Sequence, residues 1–282
     1  MTTNGSQPTQ MEEPFWKGLF SKGPFAWGFK MRSGDASSFF AQQDGSGGLL
    51  AEKSKWLDQS PELFMAWTPV GRELEKVAWD LARQWDSALP VDAVDSLDSD
   101  PSRLARRLEP DFLIMDHAEM TLAGGVVCFP SSWSLPDALG KPVQEVHGLV
   151  PGLNQQIGDK ISRFLQTLAP GKSFCRENWG LTRSADLNYH PSLQRRALDE
   201  EVELSEVYLR VEHQLFIGIP GGVLMGIRIE SCPISDLKSD PTSWLTLAEK
   251  LQTMPEDVAE YKNLKKSRKR IVSLMGCFAD DD

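Results

Sequence analysis

The alternation of apolar and polar residues predicts an antiparallel hairpin over residues 207–229, with a turn at Pro220-Gly221-Gly222. One face of its first strand is apolar apart from one histidine, and consists of Leu209, Val211, His213, Leu215 and Ile217. The other face presents Arg210, Glu212 and Gln214. An imidazole in an apolar row either fills the core with its hydrogen bonds satisfied or lines a pocket. We expect the apolar row, and His213 with it, to face the interior.

Hydrophobic patterns elsewhere predict further strands and helices. The strands are predicted at 111–116, 124–130 and 174–184, and the helices at about 72–85, 153–168, 243–254 and 255–275. This order is typical of the α+β class and predicts one antiparallel five-stranded sheet. The last helix carries a basic cluster at 262–270, which we interpret as a solvated face or as a docking patch for an acidic partner protein.

Composition and charge narrow the class of protein. The 282 residues carry a formal net charge of −10, which argues against a nucleic-acid-binding protein. No apolar stretch reaches the length of about 18 residues that a membrane span needs. The polar start shows no secretory pattern, so we expect a cytoplasmic protein. Four cysteines without a CxxC pair predict neither a zinc site nor a disulfide scaffold.

The four histidines show no short-range spacing typical of a zinc or non-haem iron site. A porphyrin iron needs only one protein ligand, because the macrocycle supplies four nitrogens. His147, beside apolar residues at the end of a short helix, is either a loop histidine bonded to the backbone or an axial ligand. His213 is the alternative ligand, whereas His117 and His190 are interpreted as surface residues.

The polar row of the first hairpin strand, Arg210, Glu212 and Gln214, has two interpretations. Arg210 and Glu212 can form a structural network with Gln214, and Arg176 and Trp179 can contribute to it from the preceding strand. Alternatively, the row anchors an anionic ligand group such as a propionate, since arginine favours planar carboxylates.

Several motifs in fixed order resemble one known family. They are "GPFAWGFKMR", "WLDQSPEL", "VVCFPSSWSLPDALGKPVQEVHGLVPG", "RENWGL", "LRVEHQLFIGIP" and "IRIESCPI". The series is similar to the haem-dependent oxidative N-demethylase alpha-subunit family, and "ALGKPVQEVH" resembles the corresponding turn of PAS domains. The resemblance implies an α+β, PAS-like haem b domain over 106–240. It would be flanked by a disordered tail (1–12), an N-terminal arm and helix (13–105) and C-terminal helices (241–282).

The resemblance also implies roles for individual residues. His147 would ligate the haem iron, with Arg176, Trp179, Arg210 and Gln214 as cofactor-binding residues, and Glu212 and His213 as catalytic residues. Departures from the expected family pattern lie on the hairpin, at His213, Ile219, Met225, Ile229 and Glu230. Relatives favour an arginine where His213 stands, which makes His213 a candidate tuner of the pocket.

The implied activity is that of a haem-dependent monooxygenase. A small methylated amine such as dimethylamine would be oxidised with O2, releasing formaldehyde. Electrons would come from NAD(P)H through partner subunits that contain flavin and iron–sulfur centres. The alternatives are a PAS-like sensor or binding subunit, which binds haem or another ligand without turnover, and a haemless interaction subunit.

Overall fold

A computed structural model describes residues 13–85 and 99–277 of the protein. The strands in these ranges are β1 (Arg32–Ser33), β2 (Met65–Trp67), β3 (Asp111–Asp116), β4 (Leu122–Val126), β5 (Ser173–Thr182), β6 (Tyr208–Ile219) and β7 (Gly222–Pro233). They form one antiparallel sheet in the order β1-β5-β6-β7-β3-β4-β2. The α+β class is therefore confirmed. The predicted count of five strands is wrong, because two strands of two and three residues extend the edges.

Ten α-helices accompany this sheet within the described ranges. They are α1 (Ala36–Phe40), α2 (Gly48–Gln59), α3 (Pro61–Phe64), α4 (Pro69–Trp85), α5 (Leu135–Ala138), α6 (Val143–Gly148), α7 (Asp159–Thr167), α8 (Pro241–Thr253), α9 (Glu256–Tyr261) and α10 (Arg268–Met275). The predicted helices near 72–85, 153–168 and 243–254 correspond to α4, α7 and α8, and a π-helical turn, Asn154–Gly158, precedes α7. No helix in the described part of the chain combines the length and apolarity needed to cross a membrane.

The prediction of a single helix over 255–275 is wrong, because the helix is interrupted between α9 and α10. Asn263 adopts a left-handed conformation with φ of 56°, which interrupts the helix. Leu264 and Ser267 become fully buried in the break. The predicted disordered tail at 1–12 lies outside the described residues. So do residues 90–98 of the segment 90–101, which its Asp, Ser and Pro content predicts to be a linker or loop.

The hairpin turn is as the sequence predicts. β6 ends at Ile219 and β7 begins at Gly222, so Pro220 and Gly221 form a two-residue turn. Gly221 has φ of 82°, a conformation that glycine adopts without the steric cost of a side chain.

Strand register assigns the central side chains to two opposite faces. Arg176 pairs with Gln214, and Phe174 pairs with Phe216, so these four share one face. Phe164 of α7 packs edge-on against both phenylalanines, and we call this the α7 face. The alternate residues, including Glu177 and His213, form the opposite face. Phe39 and Phe40 of α1 cover it so closely that a Cβ at Gly226 would lie 2.7 and 2.6 Å from them; we call it the α1 face.

Helix α6 is held on the α7 side of the sheet. The Gln144 side chain donates a hydrogen bond to Ser162 of α7 at 3.1 Å, and Asn154 donates to the Gln144 carbonyl at 2.8 Å. Val143 and Val146 pack with the apolar residues of this layer. The short helix therefore carries His147 above the α7 face.

The N-terminal arm covers the β5 side of the sheet. Phe20 and Phe25 pack edge-on against Trp179, with ring centroids 5.4 and 6.5 Å from it. The Trp27 indole N–H donates to the Pro151 carbonyl at 2.8 Å. The aromatic residues of the arm thus link β5 to the loop that follows α6.

Candidate functional site

His147 is the half-buried imidazole at the C-terminal end of α6. Burial, assisted by the positive charge of Arg176, lowers the pKa of His147 to about 4. The ring is therefore neutral at pH 7. Within residues 13–85 and 99–277 neither ring nitrogen forms a hydrogen bond. A neutral imidazole with an unused nitrogen lone pair is a competent metal ligand.

Arg176 provides the positive charge nearest to this imidazole. Its side chain is half-buried on the α7 face, and burial lowers its pKa, while the carboxylates of Glu212 and Glu177 act in the opposite direction. No described residue accepts a hydrogen bond from its guanidinium. Five donors in a planar fork match the oxygens of a carboxylate. Arg176 is thus available to an anionic group of a ligand.

Glu212 is the carboxylate of the same face. Its Oε2 accepts hydrogen bonds from the side-chain amides of Asn178 at 3.3 Å and Gln214 at 3.0 Å. Oε1 has no partner among the described residues. The two amides fix the orientation of the carboxylate and leave one oxygen for a cationic group.

Lys262 reaches this region from the break between α9 and α10. Burial lowers its pKa to about 8, opposed by the charge of Glu212 and assisted by that of Arg176. Its Nζ donates to the Trp179 carbonyl at 2.8 Å and lies 5.3 Å from the ring centres of both Trp27 and Trp179. The interpretation of 262–270 as a solvated face is wrong for this residue. No local sequence pattern indicates this position of Lys262, because a contact between segments distant in sequence brings its side chain to β5.

The structure places Arg210 in a structural network. Its guanidinium donates to Ser131 Oγ at 2.8 Å, the Phe129 carbonyl at 2.8 Å and the Asp186 carbonyl at 3.2 Å. It is 3% exposed and lies over the Tyr189 ring. Since protein groups occupy its donors, Arg210 ties two loops to β6, and the structure does not bring it to an open anion site.

Trp179 and His213 lie on the α1 face, away from His147. Trp179 pairs with Val211, two positions along from the pair of Glu177 and His213. The expectation that the apolar row of β6 faces the interior is confirmed for its four aliphatic residues, which are buried. Both faces of the sheet are covered, so the alternation could not identify the side that carries the ligand.

The His213 ring lies between two carboxylates. Its Nε2 is 2.6 Å from Glu230 and its Nδ1 is 3.9 Å from Glu177. Burial disfavours the charged ring, but the carboxylates of Glu177 and Glu230 outweigh it and raise the pKa of His213 to about 9. A ring that is protonated at pH 7 has no lone pair for a metal. This environment favours His147 over His213 as a ligand.

We expect His213 to make stability depend on pH. A raised pKa contributes stability that is complete below pH 6.5 and is lost as the pH rises through about 9. Between pH 6 and pH 10, the wild type should lose up to about 3 kcal/mol more of its free energy of unfolding than His213→Gln. Urea unfolding at both pH values measures this. His117→Gln, at a histidine without either carboxylate partner, is the control, and equal pH slopes for wild type and His213→Gln would contradict the assignment.

A cleft of about 540 Å³ is lined by residues of both strand faces, and it includes His213 and Arg228 as well as Arg176. Most of its charged residues are paired within the protein. Arg32 forms a bidentate ion pair with Glu177, and Arg228 binds Glu109 at 2.7 Å. Among the described lining residues, Arg176 is the cation that forms no hydrogen bond or ion pair, so a ligand in this cleft could reach its guanidinium.

Comparison with known protein families adds one finding. The model of a family described as "haem-dependent oxidative N-demethylase, alpha subunit-like" matches residues 61–272. The matched range includes β3 to β7 and every residue discussed at the α7 face.

Proposed function

Because the chain belongs to the family of haem-dependent oxidative N-demethylase alpha-subunit-like proteins, we propose that it oxidatively demethylates a small methylated amine, using haem b bound at the α7 face. The observation that carries the proposal is the proximity of a neutral, unbonded His147 to an unpartnered Arg176. We also propose that β3 to β7 with α5 to α7 form a PAS-like core around the cofactor.

The donor set of the α7 face fits a haem. His147 would ligate the iron, since a porphyrin iron needs one protein ligand and this imidazole is unprotonated. Arg176 would pair with a propionate, and Gln214, its neighbour on β6, would line the same side. Apolar side chains of this face, including Phe216 and Met225, would contact the macrocycle. When bound, the haem would supply the O2 and one-electron chemistry of the reaction.

The protein residues would bind and orient the amine. Glu212 is fixed by Asn178 and Gln214, and its Oε1 would accept a hydrogen bond from a protonated amine. Trp27, bonded to the Pro151 carbonyl, would limit the access of water at the β5 edge. His213 lies on the other face, so we propose for it an indirect role through the position of β6.

The family description as an alpha subunit implies further subunits. We propose that these contain flavin and iron–sulfur centres and pass electrons from NAD(P)H. Dimethylamine is the proposed first substrate for testing, with formaldehyde as product.

The test of this function has two steps. Protein expressed with a haem supply is expected to show a Soret band, and no band would contradict haem binding. The dithionite-reduced protein is then mixed with O2 and dimethylamine, and formaldehyde is assayed. Formaldehyde dependent on both amine and haem supports the demethylase. A Soret band without formaldehyde from a panel of methylated amines would instead support the binding subunit without turnover.

A further inference from the structure

A second, smaller cleft of about 250 Å³ lies between the 189–198 segment and the break that carries Lys262. Its lining includes Arg183, His190, Gln194, Arg195, Arg196 and Lys262. We call it the arginine cleft. It is smaller than the pockets of about 300–1,000 Å³ that hold drug-sized ligands. The space suits a small ligand.

The charged residues that line the arginine cleft are cations. Arg183, Arg195, Arg196 and Lys262 line it, and no carboxylate stands among its described lining residues. The acidic partners of the arginines, Asp186, Asp199 and Glu206, contact them from outside the lining. These ion pairs offset part of the arginine charge, and the guanidinium nitrogens without a described partner are Nη2 of Arg195 and Nε and Nη1 of Arg196. Such a concavity attracts anions.

His190 adds a buried donor. The ring is 5% exposed, and burial lowers the pKa of His190, so the ring is neutral at pH 7. The Ser192 backbone N–H donates to Nδ1 at 3.2 Å, which places the ring proton on Nε2. Nε2 is buried and has no hydrogen-bond partner among the described residues. The interpretation of His190 as a surface residue is wrong. An unsatisfied buried N–H is costly, and a ligand acceptor would relieve that cost.

The backbone around the arginine cleft is unusual. Ser132, Gln194 and Asn263 have φ of 66°, 45° and 56°, and all three line the cleft. The described residues contain only one other non-glycine residue with positive φ, Met120. Left-handed conformations of such residues cluster at ligand clamps and active sites.

We propose that the arginine cleft binds a small oxyanion of the carboxylate or phosphate class. The free guanidinium nitrogens of Arg195 and Arg196 and the His190 Nε2–H would donate to its oxygens. The inference rests on the cleft alone and is independent of haem binding at the α7 face. The two sites share Lys262, because it lines the cleft while the charges of Glu212 and Arg176 act on it. An anion in the cleft would therefore act electrostatically on the α7 face.

Isothermal titration calorimetry of the full chain tests the proposal, with inorganic phosphate and malonate as probes at constant ionic strength in chloride. We expect saturable binding of at least one probe. Tighter binding of phosphate would indicate a phosphate-bearing ligand, and tighter binding of malonate a carboxylate. The main variant is Gln194→Glu, which keeps the side-chain size and places a negative charge in the cleft. It should weaken binding at least tenfold.

Matched variants separate a built site from diffuse charge. Gln252→Glu adds the same charge on α8, outside the cleft, and should change the affinity less than twofold. Arg195→Gln/Arg196→Gln should weaken binding at least tenfold, whereas Lys266→Gln/Lys269→Gln removes two exposed charges elsewhere with little effect. Circular dichroism of each variant confirms folding. Absence of saturable binding for both probes, or equal weakening by the cleft variants and their controls, would overturn the proposal.

Discussion

Replacement of His147 by alanine is expected to weaken haem binding at least tenfold and to shift or abolish the Soret band of haem-replete protein. The structure gives the reason, because His147 is the neutral imidazole on the face that also carries Arg176. Under the proposed ligation, the substitution removes the nitrogen that the protein would contribute to the iron. Absorption spectroscopy during haem titration of the apoprotein measures both effects.

The matched control is His213→Ala. The His213 ring is on the α1 face, between Glu177 and Glu230. Its replacement should therefore leave the position of the Soret band unchanged. A second variant, His147→Gly, keeps the test independent of folding, since added imidazole should occupy the space and restore the band. A wild-type spectrum for His147→Ala, or a spectrum lost only in His213→Ala, would refute the assignment.

Much of the fold follows from local patterns. Strands β3 to β7 correspond to the predicted strands, and α4, α7 and α8 correspond to predicted helices. Each of these elements is long enough for its apolar residues to recur at the spacing typical of a strand or a helix. β1 and β2 are too short to show a period of two, and they form only because neighbouring strands offer free edges. The break after α9 depends on burial of Leu264 and Ser267, which a helical pattern does not reveal.

The site was less predictable than the fold. The sequence singled out His147, Arg176, Glu212 and Gln214, and the structure brings them to one face. It also singled out His213, for a sound reason, since a histidine in an apolar row needs an explanation. The explanation is an ion pair with Glu230, a cross-strand neighbour whose register no local pattern specifies. Lys262 and the arginine cleft arise from contacts between segments distant in sequence, so periodicity could not have indicated them.

A buried ion pair joins the N-terminal helices to the sheet, and its disruption should give the largest loss of stability. Lys53 of α2 and Asp111 of β3 are 0% and 1% exposed, with Nζ and Oδ1 3.1 Å apart. Lys53 also donates to the carbonyls of Leu108 and Pro110 at 2.9 and 2.7 Å, and the Phe129 backbone N–H donates to Asp111 at 2.7 Å. The pair therefore fixes the start of β3 and the chain after β4 to α2.

We expect Lys53→Met to lower the free energy of unfolding by about 3–5 kcal/mol, because it leaves the Asp111 carboxylate buried without a countercharge. Lys53→Met/Asp111→Asn should recover a large part of this loss, since asparagine keeps an oxygen for the Phe129 N–H without the charge. Urea unfolding of both single variants and the double variant gives the interaction energy of the pair. Lys55→Met, on the exposed side of the same helix, should stay within about 0.5 kcal/mol of wild type. Additive effects of the two substitutions would show that the ions do not interact. Strong coupling would instead show that this ion pair joins α2 energetically to β3.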